Sequence, residues 1–231
     1  IGRVDRACLQ MPAPTAGTKV KTNQVPDTTE RSAQLAELKD SREKREYRAA
    51  TGLVKEALAK VAPDRHKRSV YRPSNPTSSY VATAEKGTDA IGGLLWAAAV
   101  AAGVQTAALV LFLADGSHWC WNLCKTHFPA AIQILDVFHL AKHLFEAGGV
   151  MWGEKSGSSR EWALQALVAI LEGRLDEVVR ELEGLTFTDA RKREARRELL
   201  VYLGNNRERM DYSKYIAAGY PISSAMIEGA C

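Results

Sequence analysis

The 231-residue chain has only four cysteines and lacks the short motifs of several common enzyme classes. No GxxxxGK or GxGxxG segment is present, which argues against a P-loop or dinucleotide-binding site. No HExxH segment is present either, and no Ser-His-Asp order suggests a hydrolase triad. The chemistry must therefore be sought in other residues.

The cysteines form no Cys-x-x-Cys pair. Cys120 and Cys124 are four residues apart, which places them on one helix face in a poor geometry for a disulfide. We expect reduced, buried thiols in a cytosolic protein. A zinc site is the alternative, and it would need two further ligands, for which His118 and His127 are the nearby candidates.

The net charge of +4 and the pI near 8.9 permit a polyanionic partner without requiring one. The apolar stretch 91–114 is long enough to span a bilayer. It is rich in alanine and is interrupted at Gly103, so a helix over about 88–102, a turn and a strand over 107–114 explain it better. No signal peptide is visible, and we expect a cytoplasmic protein without a membrane partner.

Two short apolar runs each stop on an aspartate, LVLFLADG at 109–116 and IQILDVFH at 132–139. A buried parallel strand presents a carboxylate in this way at its C-terminal end, where open α/β sheets place their chemistry. Asp115 and Asp136 are the two acids, and Glu228 is a third near the end of the chain. Such acids favour a carboxylate cluster that binds Mg²⁺ or Mn²⁺.

Each acid has a simpler explanation when it is taken alone. Asp115 precedes a glycine and could be a turn residue, Asp136 could be structural, and Glu228 could be a solvated surface residue. His139 and His143 are four residues apart, and packing on one helix face is their default role.

The remaining pattern completes an α/β protein with a helical insertion. In the first third it predicts a strand over 1–11 carrying Asp5, loops over 12–29 and 71–79, and a largely helical segment over 30–62. A strand over 80–83 follows, and later helices cover 119–128 and His139 to about 147, with loose segments at 148–149 and 153–159. The rest is helix through most of 160–208, a turn over 219–222 and a final helix bearing Glu228.

Three separated blocks of the sequence form one pattern. The first is LADGSHWCWNL at 113–123, and FPAAIQILDVFH at 128–139 follows it. They resemble the transposases of the ISKra family of bacterial insertion sequences, which are similar to DDE transposases. The family form is an Asp-Gly-Ala-x-Trp-Ile-Trp-Asn block, then Phe-Pro-x-Ala leading into Asp-x-x-His. The tail fits as well, with NRERMDY at 206–212, GYPI at 219–222 and EGAC at 228–231. The resemblance covers 79–147 and 204–231.

The resemblance implies an RNase H-like mixed sheet flanked by helices, with an all-helical insertion before the last acid. The core would begin in 1–147, the insertion would span 148–208, and 209–231 would return to the core. Asp5, Asp115 and Glu228 would be catalytic and would hold two Mg²⁺ or Mn²⁺ ions. Asp136 and His139 would support the site.

The implied activity is metal-dependent cleavage of DNA and strand transfer during transposition, with transposon ends and target DNA as partners. Such enzymes often act as homodimers, and the location would be the bacterial cytoplasm, at the nucleoid. The alternative is an inactive, transposase-derived DNA-binding or scaffold protein. We also expect residues beyond both ends, because the chain starts at Ile1 without Met and stops at Cys231.

The sequence departs from the family pattern in several places. Ala114 and Ser117 replace the common Gly and Ala, which is a mild change. Ser223, Ser224 and Ala225 stand where Gly-Ser-Gly is usual, so the loop before Glu228 has less backbone freedom. The segment 12–78 matches poorly, because the family has its second and third strands there, whereas the local pattern favours helix through much of 30–62.

Basic residues in the helical block are the predicted DNA contacts: Arg191, Lys192, Arg193, Arg196 and Arg197. Such residues bind phosphates without sequence choice. Glu194 and Glu198 are interleaved with them, so a solvated helix face with intrahelical ion pairs is the alternative.

Overall fold

A small parallel sheet and a larger set of helices make up the part of the chain described by the computed structural model, residues 7–8, 42–63, 88–154 and 156–223. The strands and helices in chain order are β1 (Ala7–Cys8), α1 (Arg42–Val61), α2 (Thr88–Ala101), β2 (Val110–Ala114), α3 (His118–His127), β3 (Ile132–Leu135), α4 (Val137–Trp152), α5 (Gly157–Leu171), α6 (Leu175–Gly184), α7 (Ala190–Asn206) and α8 (Tyr212–Ala217).

The described strands are parallel and lie in the order β1-β2-β3. Ala7 pairs with Val110 at one side of β2, and on the other side the register runs from Leu111 with Ile132 to Ala114 with Leu135. Parallel neighbours need a crossover, which α3 provides between β2 and β3. The α/β class is therefore confirmed, whereas the RNase H-like assignment stays a prediction.

The apolar stretch 91–114 divides as the sequence predicts. Helix α2 ends at Ala101, Gly103 takes a positive φ of 84°, and a 3₁₀ turn over Val104–Thr106 leads towards β2. A positive φ is readily adopted by glycine, which is why the helix stops there. Among the helices of the described ranges, none is both long and apolar enough to cross a bilayer.

Aromatic side chains fill the space between β2, α2 and α3. The ring of Phe128 lies 5.6 Å from that of Trp96 and 5.9 Å from that of Phe112, and Trp121 lies 6.3 Å from Phe112, measured between ring centroids. These distances are typical of packed aromatic pairs. Trp119 differs from them because it is 47% exposed.

Helix α4 begins at Val137 and continues to Trp152, so the prediction of a start at His139 and a break at Gly148 and Gly149 is wrong. Both glycines are buried. A Cβ atom on Gly148 would lie 3.1 Å from the Ser159 carbonyl oxygen and 3.2 Å from Cε3 of Trp162 in α5. Gly148 thus marks a close helix–helix contact, and the pair does not form a loop.

The charged segment around residue 50 forms α1, as its periodicity predicts. Its buried positions are Ala50, Leu53, Val54 and Ala57, the i, i+3, i+4, i+7 pattern of a single helix face. This face packs against α4 and α5. Arg160 of α5 also forms an exposed ion pair with Glu56 of α1 at 2.6 Å.

The predicted helical block over 160–208 is confirmed as α5, α6 and α7. Helix α4 packs against both α5 and α7. Residue 148, where the insertion is predicted to begin, lies inside α4. Outside the described residues fall the predicted loops over 12–29 and 71–79, the strand over 80–83, the helix after residue 223 and the earliest part of the 30–62 helix.

We expect the substitution Gly148→Ala to lower the free energy of unfolding by about 1 kcal/mol. Overpacking against Ser159 and Trp162 costs about 1–3 kcal/mol, and the gain in helix propensity offsets only part of it. Chemical denaturation measures the change. The control is Gly52→Ala in α1, where a Cβ would meet nothing within 4 Å, and it should gain about 0.5–1 kcal/mol. Equal gains from both variants would contradict the close contact.

Candidate functional site

A turn at Asp115 and Gly116 connects β2 to α3. One carboxylate oxygen of Asp115, Oδ1, accepts a hydrogen bond of 2.9 Å from the Ser117 amide, and the Cys120 thiol lies 3.7 Å from the same oxygen. Gly116 has a φ of 98°, which favours glycine at this position. The chain therefore presents the Asp115 carboxylate at the C-terminal end of β2, as the sequence predicts.

The Asp115 carboxylate is ionised at neutral pH. Partial burial raises its pKa, but hydrogen bonds from Ser117 and Cys120 and the charge of His139 together place the pKa below the usual value. The same environment acts in the opposite direction on the thiol, because burial and the Asp115 charge raise the pKa of Cys120 to about 12. Cys120 is a protonated donor here and not a nucleophile.

Asp136 follows β3 and is completely buried. Its amide donates to the Ala114 carbonyl at 2.8 Å. Its Oδ1 accepts hydrogen bonds from the Phe138 amide at 2.7 Å and the His139 amide at 3.3 Å, so Asp136 is the N-cap of α4. The cap satisfies helix donors that would otherwise be buried without partners.

The chain after α7 lies along the end of β3. The Tyr212 hydroxyl donates to the Leu135 carbonyl at 2.9 Å, and the Tyr215 hydroxyl donates to the Gln133 carbonyl at 3.4 Å. Further along, the Ile222 carbonyl accepts from the Val137 amide at 3.0 Å. The segment predicted to return to the core thus passes beside the residue that follows Asp136.

A buried hydrogen bond joins α3 to the end of α7. The Trp121 indole donates to Oδ1 of Asn206 at 3.0 Å, and the Asn206 amide donates to the Tyr202 carbonyl at 3.0 Å. The Arg209 guanidinium lies 4.5 Å above the Trp121 ring and donates to the Gln133 side chain at 2.8 Å. The first and last blocks of the resemblance are therefore in direct contact.

Tyr202 of α7 packs on the Asp115 turn. Its hydroxyl lies 3.5 Å from the Asp115 carbonyl, a long hydrogen bond, and its ring centroid is 3.9 Å from that of His143. Burial, together with the charges of His139 and Lys142, lowers the pKa of His143 to about 4 against a weaker opposite effect of Asp115. His143 is therefore a neutral ring at physiological pH.

A shallow groove of about 270 Å³ opens beside this turn. Its walls come from the start of α3 and one face of α7, and the lining includes Ser117, His118, Arg197, Val201 and Asn205. Gly116, the residue after Asp115, is part of the lining, so the groove lies beside the turn that carries this carboxylate.

The basic residues of α7 divide into two groups. Arg193 and Arg196 donate to backbone carbonyls of the preceding loop, Arg193 to Thr188 at 2.5 Å and Arg196 to Leu185. These two guanidinium groups hold the connection between α6 and α7.

The other basic side chains are more accessible. Arg191 is exposed and Lys192 is half-buried, with its ammonium 5.9 Å from the Phe187 ring centroid. Arg197 is exposed and pairs with Glu194 at 2.5 Å, which is the intrahelical arrangement that the sequence leaves as an alternative to DNA contact.

Of the predicted site residues, Asp115, Asp136 and His139 lie together at the ends of β2 and β3, while Asp5 and Glu228 lie outside the described residues. Within the described ranges, no three His, Cys, Asp or Glu side chains group as a metal site requires. Sequence reasoning missed Tyr202, which contacts the turn across 87 positions. The spacing of His139 and His143 was visible, but nothing in the sequence pairs His143 with Tyr202.

Comparisons with protein-family models, with curated proteins and with solved structures find no match to this chain.

The buried cap makes a prediction about Asp136. Asp136→Ala should lower the free energy of unfolding by about 2 kcal/mol, because two amides of α4 lose their acceptor. Asp136→Asn, which retains a capping oxygen, should lose much less. The matched control is Asp189→Ala at the exposed N-cap of α7, where the aspartate makes the same two bonds, and the loss there should be smaller. Equal losses at both caps in urea denaturation would contradict the role of burial.

The neutral, buried His143 predicts a loss of stability in mild acid. The unfolded chain takes up the proton near pH 6.5 and the folded chain only near pH 4, so the unfolded state binds more protons between these values. Stability from this residue is complete above pH 6.5 and falls by about 3 kcal/mol on approach to pH 4.

The measurement is the difference in unfolding free energy between wild type and His143→Phe from pH 7 to pH 4. The difference should shift in favour of the variant as the pH falls. His118→Gln, at an exposed position, controls for the loss of a histidine. A pH-independent difference for His143→Phe would show that this ring is not buried in its neutral form.

Proposed function

We propose that the chain is the catalytic part of a DDE transposase of an insertion sequence, which hydrolyses a DNA strand and then joins the freed 3′-hydroxyl to target DNA. The observation that carries the proposal is an ionised aspartate, Asp115, at the C-terminal end of the parallel strand β2. Its backbone carbonyl contacts Tyr202 of α7, the helix that leads into the tail motif at 206–212. Three further features support it.

The first is the arrangement of the strand ends. Ala114 and Leu135 are paired, so Asp115 and Asp136 follow neighbouring parallel strands at one edge of the sheet. Asp136 uses its carboxylate to cap α4, which fits a supporting role. Asp115 keeps an ionised carboxylate in a partly exposed turn, which fits a metal ligand.

The second is the path of the return segment. Ile222 is hydrogen-bonded to Val137, the residue after Asp136, and Glu228 follows Ile222 by six positions in the sequence. A connection this short between Ile222 and Glu228 would allow the Glu228 carboxylate to lie at the same edge of the sheet as Asp115.

The third is the contact between the blocks of the resemblance. The Trp121 indole of the first block and the Asn206 amide of the tail share a buried hydrogen bond across 85 positions. A satisfied buried hydrogen bond makes the surrounding packing rigid, which suits two blocks that hold one site in place.

The donor chemistry fits divalent metal ions. Carboxylate oxygens are the ligands that Mg²⁺ and Mn²⁺ prefer, and Asp115 would supply one, with Asp5 and Glu228 as the proposed others. When bound, two such ions would stabilise charge on the attacking and leaving oxygens of the phosphodiester. The chain itself orients Asp115 through Ser117 and would admit DNA from the groove side, where Arg197 can reach phosphates. Arg191 and Lys192, at the start of α7, would be further phosphate contacts.

The test is a nicking assay on supercoiled DNA with Mn²⁺. Asp115→Asn should reduce the nicking rate at saturating Mn²⁺ by at least about 100-fold, because the loss of a metal ligand removes several kcal/mol of charge stabilisation. The control is Asp89→Asn in α2, an exposed aspartate, which should leave the rate unchanged. Equal nicking by wild type and Asp115→Asn would reject the catalytic proposal.

Separate variants test the other acids. Asp5→Asn and Glu228→Gln should each have an effect as large as that of Asp115→Asn. Asp5 needs its own assay because the parallel pairing places Ala7 beside the start of β2, at Val110, whereas Asp115 follows the end of that strand. An unchanged nicking rate in Asp5→Asn would remove Asp5 from the proposed metal ligands. A strand-transfer assay then separates a transposase from a nuclease that only cuts. DNA binding with no metal-dependent nicking would favour the inactive, transposase-derived scaffold.

A further inference from the structure

We infer that Tyr202 is a positioning residue that holds the Asp115–Gly116 turn in the pose in which the carboxylate faces the substrate side. The inference rests on the proposed function for its consequence in DNA cleavage. Its structural content, the control of the turn by a residue of α7, stands on contacts that are independent of that function.

Tyr202 covers Gly116 closely. A Cβ atom on Gly116 would lie 3.1 Å from Cε2 of Tyr202, 3.2 Å from its hydroxyl and 3.1 Å from Cδ1 of Leu135. The turn is thus confined between the tyrosine ring and the side chain that ends β3. The long hydrogen bond from the Tyr202 hydroxyl to the Asp115 carbonyl also restricts the orientation of the ring relative to the turn.

The tyrosine ring also contacts α4. It stacks on His143 with centroids 3.9 Å apart and an angle of 32° between the planes. His143 lies one helical turn after His139, whose amide is held by the Asp136 cap. Tyr202 therefore transmits the position of α4 to the Asp115 turn.

The backbone at Tyr202 is also anchored. Asn206, which is buried, donates to the Tyr202 carbonyl and accepts from the Trp121 indole of α3. The Asp115 turn and Tyr202 are consequently tied to the same helix, α3, from two directions. Rotation of α7 about its axis, which would lift the ring from Gly116, would break a buried hydrogen bond.

Tyr202 positions the turn and does not exchange protons with it. Burial and the charges of Asp115 and Asp136 raise the pKa of its phenol far above the physiological range. The hydroxyl is a permanent donor, so it cannot serve as a general base. Its ring and hydroxyl act on the reaction through Asp115.

The experiment uses the full chain and two readouts. The first is the hydrogen–deuterium exchange of the Ser117 amide, because this amide is bonded to Asp115 Oδ1 and reports on the pose of the carboxylate. The second is nicking with Mn²⁺, separated into the rate at saturating metal and the metal concentration at half-saturation. The variants are Tyr202→Phe and Tyr202→Ala.

The control is Leu182→Ala in α6. Leu182 is completely buried, and α6 packs against α5 and α7, so this variant destabilises the fold without removing a contact of the turn. If Tyr202→Ala does not fold, Tyr202→Leu takes its place, since leucine fills much of the volume but cannot cover Gly116 with a flat ring.

Tyr202→Ala should speed exchange of the Ser117 amide at least 10-fold and reduce the saturated nicking rate about 100-fold, since small displacements of a reacting group cost this much. Tyr202→Phe, which keeps the ring, should change both by no more than about threefold, because the bond it loses is long. Leu182→Ala should lower the melting temperature with neither effect.

Exchange in Tyr202→Ala no faster than in Leu182→Ala would overturn the inference. A rate loss that appears equally in Leu182→Ala would overturn it too, because it would then reflect general destabilisation. If the wild type does not nick DNA but Tyr202→Ala still speeds Ser117 exchange, the proposed function fails and control of the turn by Tyr202 is supported.

Discussion

The buried hydrogen bond between the Trp121 indole and the Asn206 side chain is the constraint on which the arrangement of the site depends. It joins α3, which belongs to the β-α-β unit, to the end of a helical block 85 positions later. Because a buried amide without its partner costs about 1–3 kcal/mol, the bond fixes the position of α7 along α3. Tyr202, one turn earlier on α7, is thereby brought onto the Asp115 turn.

The same sequence signal has two physical meanings at the two strand ends. Asp115 and Asp136 each follow an apolar strand, but Asp136 is buried and its carboxylate caps α4, whereas Asp115 is partly exposed and is followed by a glycine with positive φ. The difference lies in what comes next in the chain. A helix that starts immediately after Asp136 presents its own amides to the carboxylate, while the glycine turn delays the start of α3 until His118.

Local signals predicted the parts of the fold that local forces decide. The break at Gly103, the strands β2 and β3 and the helix α3 followed from hydrophobic pattern and turn residues. The pair Gly148 and Gly149 was misread, because glycine favours loops locally, whereas both residues lie inside α4 and Gly148 permits a close contact with α5. The contact of Tyr202 with His143 and Gly116 has no local signal at all, since it depends on how α7 packs across α4.

The helical block contributes to the site and is not merely carried by the α/β core. Helix α4 starts at the Asp136 cap and packs against α1, α5 and α7, and its His143 contacts the Tyr202 ring that lies on the Asp115 turn. A displacement of α7 would therefore act on the candidate site through Tyr202, while a displacement of α5 would act through α4. The position of the Asp115 carboxylate thus depends on the packing of α5 and α7, although neither helix carries an acid of the proposed site.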